Sequence, residues 1–364
     1  MNVSSARALS RGLLAATALS LALPACERTP PDRNGPAPKP SYEISYQLTW
    51  TSPTTGERYC PQYAGNTVVD AGDTDVILRD AATGKTKWSY RKSASCPLVT
   101  AEAVYVASEG EVVALDLKTG KHKAVTKGLD TLGNHDGDAP VETPAGIHAL
   151  IDGNIDTVDK SLKRTLWEHE EETDIWIDHI AASGTTVIAV TQNGKVKALS
   201  GKDGKVLWVY ATPSHGQVAE EVSIADGIVY IASMDGSVYA LSLATGEKVW
   251  ATKLGHGEAW ATHLSRNLVI TSDNQLVYGL DKKTGKKKWS RSGDYNWVTA
   301  TADHAIYADS EAGEVTVLDA TTGTRLTTIP EAPGASWLAT SPTHLYVWTD
   351  TEIQAHQLTK QATD

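Results

Sequence analysis

Residues 229–250 read VYIASMDGSVYALSLATGEKVW, and residues 268–289 read LVITSDNQLVYGLDKKTGKKKW. A third copy, VYVASEGEVVALDLKTGK, occupies residues 104–121. Each copy has a β-branched run, a tight turn with Gly or Asn, an alternating run ending in Leu-Asp or Leu-Ser, and a Thr-Gly turn. Alternation with a period of two between frequent turns is typical of β-strands. No segment shows helical periodicity with caps, so the sequence predicts an all-β protein.

A Gly-x-x-x-Trp element sets the register of the repeats. It is complete in the copies that end at Trp88, Trp208, Trp250 and Trp289. The copies that end at Ala124 and Thr327 keep the glycine turn and lack the tryptophan, while Trp50 and Trp167 end incomplete copies. These markers recur about every 40 residues, the length of a four-stranded propeller blade. The sequence therefore predicts an eight-bladed β-propeller, or seven blades if the degenerate copy at Trp167 is an insertion.

The two ends of the chain each supply part of one blade. Residues 344–358, HLYVWTDTEIQAHQL, contain two strands without the final strand of the repeat, and residues 42–50, YEISYQLTW, contain only that strand. We expect the N-terminal strand to close the last blade, which leaves no free sheet edge in the ring. The propeller is therefore expected to span residues 42–360.

The Leu-Asp-x-x-Thr-Gly-x-x-x-Trp element resembles the repeat of the pyrroloquinoline-quinone (PQQ)-like β-propellers, over most of residues 42–358. In that family the repeat tryptophan docks against the neighbouring blade. The resemblance implies this structural role for Trp50, Trp88, Trp167, Trp208, Trp250 and Trp289. A lipidated eight-bladed chain of this kind is similar to the BamB family of outer-membrane protein assembly factors.

The same resemblance raises an enzymatic alternative, the PQQ-dependent dehydrogenases. Those enzymes are larger and carry an adjacent Cys pair and a Glu/Asn/Asp calcium constellation beside the quinone. The cysteines here, Cys26, Cys60 and Cys96, are not adjacent, and the repeats leave little room for a catalytic insertion. The motifs G-x-S-x-G, H-E-x-x-H and G-x-x-x-x-G-K are missing from the sequence. We therefore expect no catalytic residues, no metal site and no cofactor.

Several acidic segments are candidate cation or docking sites. Residues 134–138, Asn-His-Asp-Gly-Asp, lack the ligand spacing of a calcium loop and are interpreted as a polar turn. The same interpretation applies to Asp70, Asp73 and Asp75, which fall in a strand-to-strand turn. The run at 168–174 reads as solvated surface, with docking of a basic partner as the alternative. The 11 histidines are scattered, and most are expected at the surface.

The N-terminal residues have the pattern of an export signal. Arg7 and Arg11 precede an apolar run at 13–23 that is too short to span a bilayer as a helix. The run ends Leu-Pro-Ala-Cys at Cys26, which resembles a bacterial lipobox whose Cys is lipidated and becomes the new N terminus. Residues 1–25 are thus expected to be a lipoprotein signal peptide. Residues 26–41, rich in proline, are expected to form a semi-rigid tether.

If Cys26 carries lipid, Cys60 and Cys96 remain as one possible disulfide in an oxidising compartment. Aligning the copies on their second strand places one residue of each blade at the start of the innermost strand, near one mouth of the channel. Those residues are Cys60, Cys96, Ala139, His179, Glu220, Trp260, Trp297 and Trp337. The two cysteines then occupy neighbouring blades at the same height, which makes their pairing geometrically plausible.

The same register puts Trp260, Trp297 and Trp337 on three consecutive blades, and Trp176 lies three residues before His179. One interpretation is that these side chains fill the wedges between blades. The other is a tryptophan-lined arc that binds a peptide, a strand or a glycan.

The formal net charge is −11, which argues against a nucleic-acid-binding face. The sequence predicts a monomeric, extracytoplasmic propeller, anchored by lipid to the cell membrane or outer membrane of a bacterium. Its predicted role is a non-catalytic scaffold that binds envelope proteins through a loop face. The alternatives are a ligand- or wall-sensing propeller of a Gram-positive envelope and, last, a PQQ-dependent dehydrogenase.

Overall fold

The computed structural model describes residues 42–362, apart from 55–57, 93, 95, 109–110, 127–138, 152, 172–174, 214–217, 274, 293–296, 310–311 and 331. The side chains of Tyr59, Cys60, residues 219–221 and Ala362 also lie outside the description. The predicted signal peptide, the tether and Cys26 precede the described residues. Within the described chain, no helix is long and apolar enough to cross a membrane.

The described residues form eight antiparallel sheets of four strands each, arranged as the blades of a ring. The innermost strands are β2 (Arg58–Ala64), β6 (Leu98–Val99), β10 (Val141–Glu142), β14 (Ile177–Ser183), β18 (Val218–Ala225), β22 (Trp260–Leu264), β26 (Trp297–Ala300) and β30 (Trp337–Thr340). They contact one another from β10 through β14, β18, β22, β26 and β30 to β2, and so surround the channel.

Two further layers of strands form the middle of the blades. The second strands are β3 (Thr67–Gly72), β7 (Ala103–Ser108), β11 (Ile147–Ile151), β15 (Thr186–Thr191), β19 (Ile228–Ser233), β23 (Leu268–Ser272), β27 (His304–Asp309) and β31 (His344–Trp348). The third strands are β4 (Val76–Asp80), β8 (Glu111–Asp116), β12 (Asn154–Val158), β16 (Lys195–Ser200), β20 (Ser237–Ser242), β24 (Leu276–Asp281), β28 (Glu314–Asp319) and β32 (Glu352–Ala362).

The outermost strands carry the repeat tryptophans. They are β5 (Thr86–Tyr90), β9 (His122–Val125), β13 (Thr165–His169), β17 (Val206–Ala211), β21 (Lys248–Lys253), β25 (Lys287–Ser292), β29 (Arg325–Ile329) and β1 (Tyr42–Pro53). A β-bulge next to the tryptophan position interrupts the register of β5, β9, β13, β17, β21, β25 and β29. Such bulges twist an edge strand and discourage edge-to-edge pairing.

The closure of the ring confirms the expectation from the sequence. Strand β1 pairs antiparallel with β32, from Tyr42 opposite Ala362 to Pro53 opposite Glu352, so blade 8 combines both ends of the chain. The seven-blade alternative is wrong, because the degenerate third copy forms a complete sheet, β10–β13.

The order of the strands gives the ring two different faces. The hairpins between first and second strands, and between third and outermost strands, lie on one side, which we call the turn face. The hairpins between second and third strands lie on the other side, together with the connections from one blade to the next. We call this second side the connection face.

Between the blades, apolar strand faces pack into separate clusters. In one of them, Tyr230 and Trp250 of blade 5 meet Val269, Tyr278 and Leu280 of blade 6. The alternating β-branched residues of the repeat therefore account for the core, since alternate side chains of a strand point to opposite faces of its sheet.

Candidate functional site

A cavity of about 290 Å³ opens among the innermost strands of blades 1, 6, 7 and 8. Its lining residues are Pro61, Gln62, His263, Trp297, Val298, Thr299, Trp337 and Leu338. Trp297 and Trp337 begin β26 and β30, where the chain enters from the connection face. The cavity therefore lies toward the mouth of the channel at which the sequence placed the tryptophan arc.

Two tryptophans of that arc are stacked on each other. The ring centroids of Trp297 and Trp337 are 3.9 Å apart, with an angle of 30° between the ring planes. Both side chains are half-buried. Trp297 packs against the apolar cluster between blades 7 and 8, and Trp337 packs against the cluster between blades 8 and 1. Each indole therefore packs on a core cluster and also lines the cavity, while the binding of a partner by this arc stays a prediction.

The polar groups of the cavity are neutral amide, hydroxyl and imidazole groups. Gln62, Thr299 and His263 reach its wall, beside the apolar surfaces of Pro61 and Leu338. A wall of this composition can stack a flat or apolar side chain and can hydrogen-bond main-chain amides. The volume is at the lower end of small-molecule pockets, and therefore suits one or two protein side chains better than a large cofactor.

Trp260 stands on the adjoining blade at the start of β22, in an irregular stretch of backbone. A register shift separates Trp260 from His263, and Ala261 has a positive φ of 40°. The hydroxyl of Thr271 donates to the carbonyl oxygens of both Trp260 and Ala261, at 2.9 Å each. This bulge turns the next residues of the strand so that His263 lines the cavity.

Trp176 lies apart from the stacked pair, before the first strand of blade 4. Its side chain is 60% exposed, more than that of the other exposed large apolar residues, and it packs on the turn at Gly153. The structure therefore brings Trp297 and Trp337 together, with Trp260 on the next blade, and leaves Trp176 three blades away.

The other register positions fall in the innermost layer or just before it. Cys60 lies in β2 and Cys96 lies two residues before β6, so they belong to neighbouring blades. Cys96 is buried, whereas the side chain of Cys60 is outside the described residues. The pairing of these cysteines therefore stays a prediction. Ala139, His179 and Glu220 hold the corresponding positions of blades 3 to 5.

Each repeat tryptophan makes the same contact with the next blade. The indole nitrogen donates to a main-chain carbonyl of that blade in the pairs Trp50–Ala81, Trp88–Leu117, Trp167–Gly201, Trp208–Leu243, Trp250–Lys282 and Trp289–Ala320, at 2.9–3.1 Å. Trp167 is half-buried, and the other five are at most 9% exposed. These contacts hold neighbouring blades together.

Asp70 is not a solvated turn residue, contrary to the sequence interpretation, although the turn that follows it is exposed at Asp73. Asp70 is fully buried; it accepts from Arg79 Nη1 at 2.7 Å and lies 3.8 Å from Arg58 Nε. Trp348 Nε1 of blade 8 donates to its second oxygen at 3.3 Å. Because a buried carboxylate is stable only when paired and hydrogen-bonded, this network joins the blades that close the ring. Sequence spacing gave no sign that the two arginines would converge on it.

The acidic run at 168–174 is only partly a solvated surface. The side chain of Glu171 is 1% exposed and accepts from Lys197 Nζ of blade 4 at 2.6 Å. Burial would raise the pKa of Glu171, but its hydrogen bonds with His169 and Lys197 outweigh that effect and hold the pKa below its usual range. Glu168 and Glu170 are exposed, and residues 172–174 lie outside the description. The loop at 134–138 is also outside it.

Fewer histidines are fully exposed than the sequence predicted, since six of the nine that the structure describes are half-buried. Of the histidines that the structure describes, His122 is exposed, whereas His148 and His356 are buried. Both ring nitrogens of His148 are hydrogen-bonded at 2.8 Å, to the hydroxyls of Thr143 and Thr157. Burial lowers the pKa of His148 to about 4. Within the described residues, no group of three or more His, Cys, Asp or Glu side chains could hold a metal ion.

Comparisons with known proteins agree with this architecture. A solved structure of BamB from Moraxella catarrhalis superposes with a TM-score of 0.68 and 15% identity, covering 86% of this chain and all of that one; this shows the likeness of fold. BamB from Burkholderia pseudomallei is 25% identical over 250 residues, 63% of this chain and 64% of that protein.

A protein kinase is also similar to this chain, over a smaller part of its own length. The serine/threonine-protein kinase AfsK of Streptomyces coelicolor is 29% identical over 174 residues, 46% of this chain and 20% of the kinase. The chain thus spans less than two thirds of both sequence relatives. The family model described as outer membrane protein assembly factor BamB matches residues 45–129, 152–267 and 235–361. Because these segments make up most of the chain, the protein belongs to the BamB family of PQQ-like β-propellers.

Proposed function

We propose that this protein is a non-catalytic scaffold of the bacterial cell envelope that holds a segment of a partner protein in the cavity at Trp297 and Trp337. The observation that carries this proposal is the stacked indole pair, 3.9 Å apart, which lines an open cavity on the connection face. Aromatic side chains in such a position are favoured anchors of protein interfaces.

The lining of the cavity supports a protein segment as the occupant. Pro61, Leu338 and the two indoles offer apolar contact, while Gln62 and Thr299 offer neutral hydrogen-bonding groups. The partner segment that fits is a short loop or extended strand that presents a proline or a large apolar side chain. The name shared by the family, outer membrane protein assembly factor, supports a partner among envelope proteins.

Binding is also favoured over redox catalysis by the sequence. The chain contains 3 cysteines, none adjacent to another, so the Cys pair expected beside a PQQ cofactor is missing. A propeller that presents an aromatic cavity without such a pair fits the role of a scaffold.

We further propose that the mature chain begins at Cys26, carries lipid there, and reaches its propeller through the tether at 26–41. A second proposed feature of the mature protein is a Cys60–Cys96 disulfide, which the buried, disulfide-bonded state of Cys96 supports. The anchor is tested by giving the chain a cleavable secretory signal together with Cys26→Ser. We expect this variant in the soluble envelope fraction, and its recovery in the membrane pellet at high salt would contradict lipid anchoring.

Site-specific photo-crosslinking in intact cells tests the scaffold. A photoreactive residue at Gln62, in the wall of the cavity, should form an adduct with an envelope protein. The same residue at Thr321, exposed on the turn face, serves as the matched control. The adduct at Gln62 should disappear when Trp337→Ala is added. No adduct at Gln62, or one that persists in the Trp337→Ala background, would overturn the proposal.

A further inference from the structure

The exposed cations of this acidic protein are concentrated on its turn face. The residue that follows the turn glycine is an exposed lysine in four blades: Lys85, Lys121, Lys205 and Lys286. Among the described residues, the exposed cations of the connection face are Arg91, Lys92 and Lys253. Every other exposed Lys or Arg of the described chain lies within two residues of a turn of the turn face, or, for Lys360, near the end of β32.

Carboxylates on the turn face only partly offset these cations. Four of its exposed acids are already ion-paired with cations of the face, in the pairs Glu102–Lys123, Glu142–Lys160, Asp203–Lys205 and Asp303–Arg266, at 2.5–3.8 Å. The first aspartate of several turns accepts hydrogen bonds from its own turn; Asp116 Oδ1, for example, accepts from the main-chain N–H of Lys118 and of Thr119. The exposed lysines and arginines of the turn face as a whole still outnumber the aspartates and glutamates of the same face among the described residues.

The chain enters the propeller on the same face. Tyr42, the first described residue, lies opposite Ala362 at the turn-face end of blade 8. Its hydroxyl donates to Asp319 Oδ2 of a turn in blade 7 at 3.0 Å. The described chain therefore begins on the turn face. In the proposed function the tether before it carries a lipid at Cys26, which favours the approach of this face, rather than the connection face, to the membrane.

We propose that the turn face docks on a membrane surface of anionic phospholipid, which directs the connection face and its tryptophan cavity away from the bilayer. The arrangement rests on the proposed lipid anchor for its orientation, whereas the attraction itself depends on the lysines alone. Each Lys close to an anionic bilayer adds to the binding free energy, and a basic patch beside a lipid chain is a common pair of membrane signals. Screening limits this attraction to about 8 Å at physiological salt, so the lysines act only when the face lies close to the headgroups.

Vesicle co-sedimentation of the unlipidated chain tests the proposal separately from the lipid anchor. The chain from residue 26 onward with Cys26→Ser contains the whole propeller, since the ring closes within residues 42–362. We expect it to bind vesicles of phosphatidylethanolamine and phosphatidylglycerol but not vesicles of phosphatidylcholine. The binding should vanish in about 1 M salt, where the screening length falls to about 3 Å.

Two triple variants with the same change of net charge locate the binding face. Lys85→Gln, Lys121→Gln and Lys286→Gln together should weaken binding to the anionic vesicles about tenfold or more. Arg91→Gln, Lys92→Gln and Lys253→Gln, on the connection face, should leave it within about twofold. Equal losses in both variants, or no binding by the parent chain, would overturn the proposal. Capture of an acidic protein by the turn-face lysines, without vesicle binding, would assign the face to a protein instead.

The scaffold has a separate test, because adducts at Gln62 do not require the turn-face lysines. Loss of vesicle binding with normal crosslinking would remove the membrane-docking proposal alone. Normal vesicle binding without adducts at Gln62 would remove the scaffold proposal alone.

Discussion

Gly285 of blade 6 lies directly against the indole ring of Trp250 of blade 5: a Cβ placed on Gly285 would stand 2.6 Å from Trp250 Cε3. The same approach recurs in the pairs Trp50–Gly84, Trp88–Gly120, Trp167–Gly204, Trp208–Gly246 and Trp289–Gly323. Where blade 2 has Ala124 in place of the tryptophan, the turn of blade 3 has no glycine, and the buried Leu162 joins the cluster between those blades. The Thr-Gly turn and the Trp of the repeat therefore act as one contact between neighbouring blades.

Alanine substitutions at Gly285 and Gly227 should separate the energetic effect of this contact from that of backbone strain. Gly285 and Gly227 have φ values of +70° and +74°, but a Cβ on Gly227 would have no heavy atom within 4 Å. Gly227→Ala should lower the free energy of unfolding by roughly 1–2 kcal/mol, the cost of left-handed backbone alone. Gly285→Ala should cost about 1–3 kcal/mol more, since the methyl group would stand 2.6 Å from both Trp250 Cε3 and Thr252 Oγ1 and must displace them. Denaturant unfolding of both variants measures the difference. Equal losses of unfolding free energy would show that the packing of Trp250 does not require a glycine at position 285.

The predicted disulfide should stabilise the fold. In a Cys26→Ser background, Cys60 and Cys96 should give no free thiol in the unfolded, unreduced protein. Reduction should lower the melting temperature, because a bridge that closes a loop of this length contributes about 3–5 kcal/mol in the entropic model. Thiol titration before and after reduction measures the pairing, and two reactive thiols before reduction would contradict it.

The stability should fall when the pH is lowered from about 6.5 to about 4, partly because of His148. The pKa of His148 is lowered to about 4 in the folded protein, against 6.5 for a free histidine. Over that window the unfolded chain binds the proton more readily, so its stabilising contribution is present above pH 6.5 and is lost progressively as the pH falls toward 4. The full loss is about 3 kcal/mol for a shift of this size.

His356, whose pKa burial also lowers to about 4, adds to the same pH dependence. Burial also lowers the pKa values of His304 and His344, so these groups contribute to the wild-type slope as well. His148→Gln should therefore remove part of that slope while lowering stability at neutral pH. Denaturant unfolding at several pH values gives these slopes. A His148→Gln variant with the wild-type slope would contradict the assignment.

The fold could be predicted from the sequence because each repeat carries its own local signal. The Gly-x-x-x-Trp spacing fixed both the turn and the docking residue, and the incomplete copies at 42–50 and 344–358 indicated how the ring closes. Even the copies that lose the tryptophan, at Ala124 and Thr327, keep the glycine turn and form an outermost strand.

The polar contacts of the interior could not be predicted in the same way. Asp70 looked like a turn residue, yet Arg58 and Arg79 converge on it from two other strands. Such a convergence depends on the pairing register of strands β2, β3 and β4, which the sequence leaves open at the bulge in β2. The repeat register predicted the channel mouth at which the tryptophan arc lies. The stacking of Trp297 on Trp337 could not be predicted, because it depends on how closely adjacent blades approach each other.

The comparison of Trp250 with Trp297 separates packing from binding within one protein. Trp250 is 8% exposed and docks on the next blade, so Trp250→Ala should cost about 3–5 kcal/mol of stability, as truncation of a buried Trp typically does. Trp297 is half-buried, with one side on a core cluster and the other on the cavity, so Trp297→Ala should cost less stability. At the centre of an interface its loss should weaken partner binding by at least about 2 kcal/mol. Melting temperatures and the yield of the Gln62 crosslink, measured for both variants, give the two effects. If both variants lose the same stability and Trp297→Ala keeps the crosslink, the stacked pair is packing alone, and the partner must bind elsewhere on the connection face, where Trp176 is the exposed aromatic side chain.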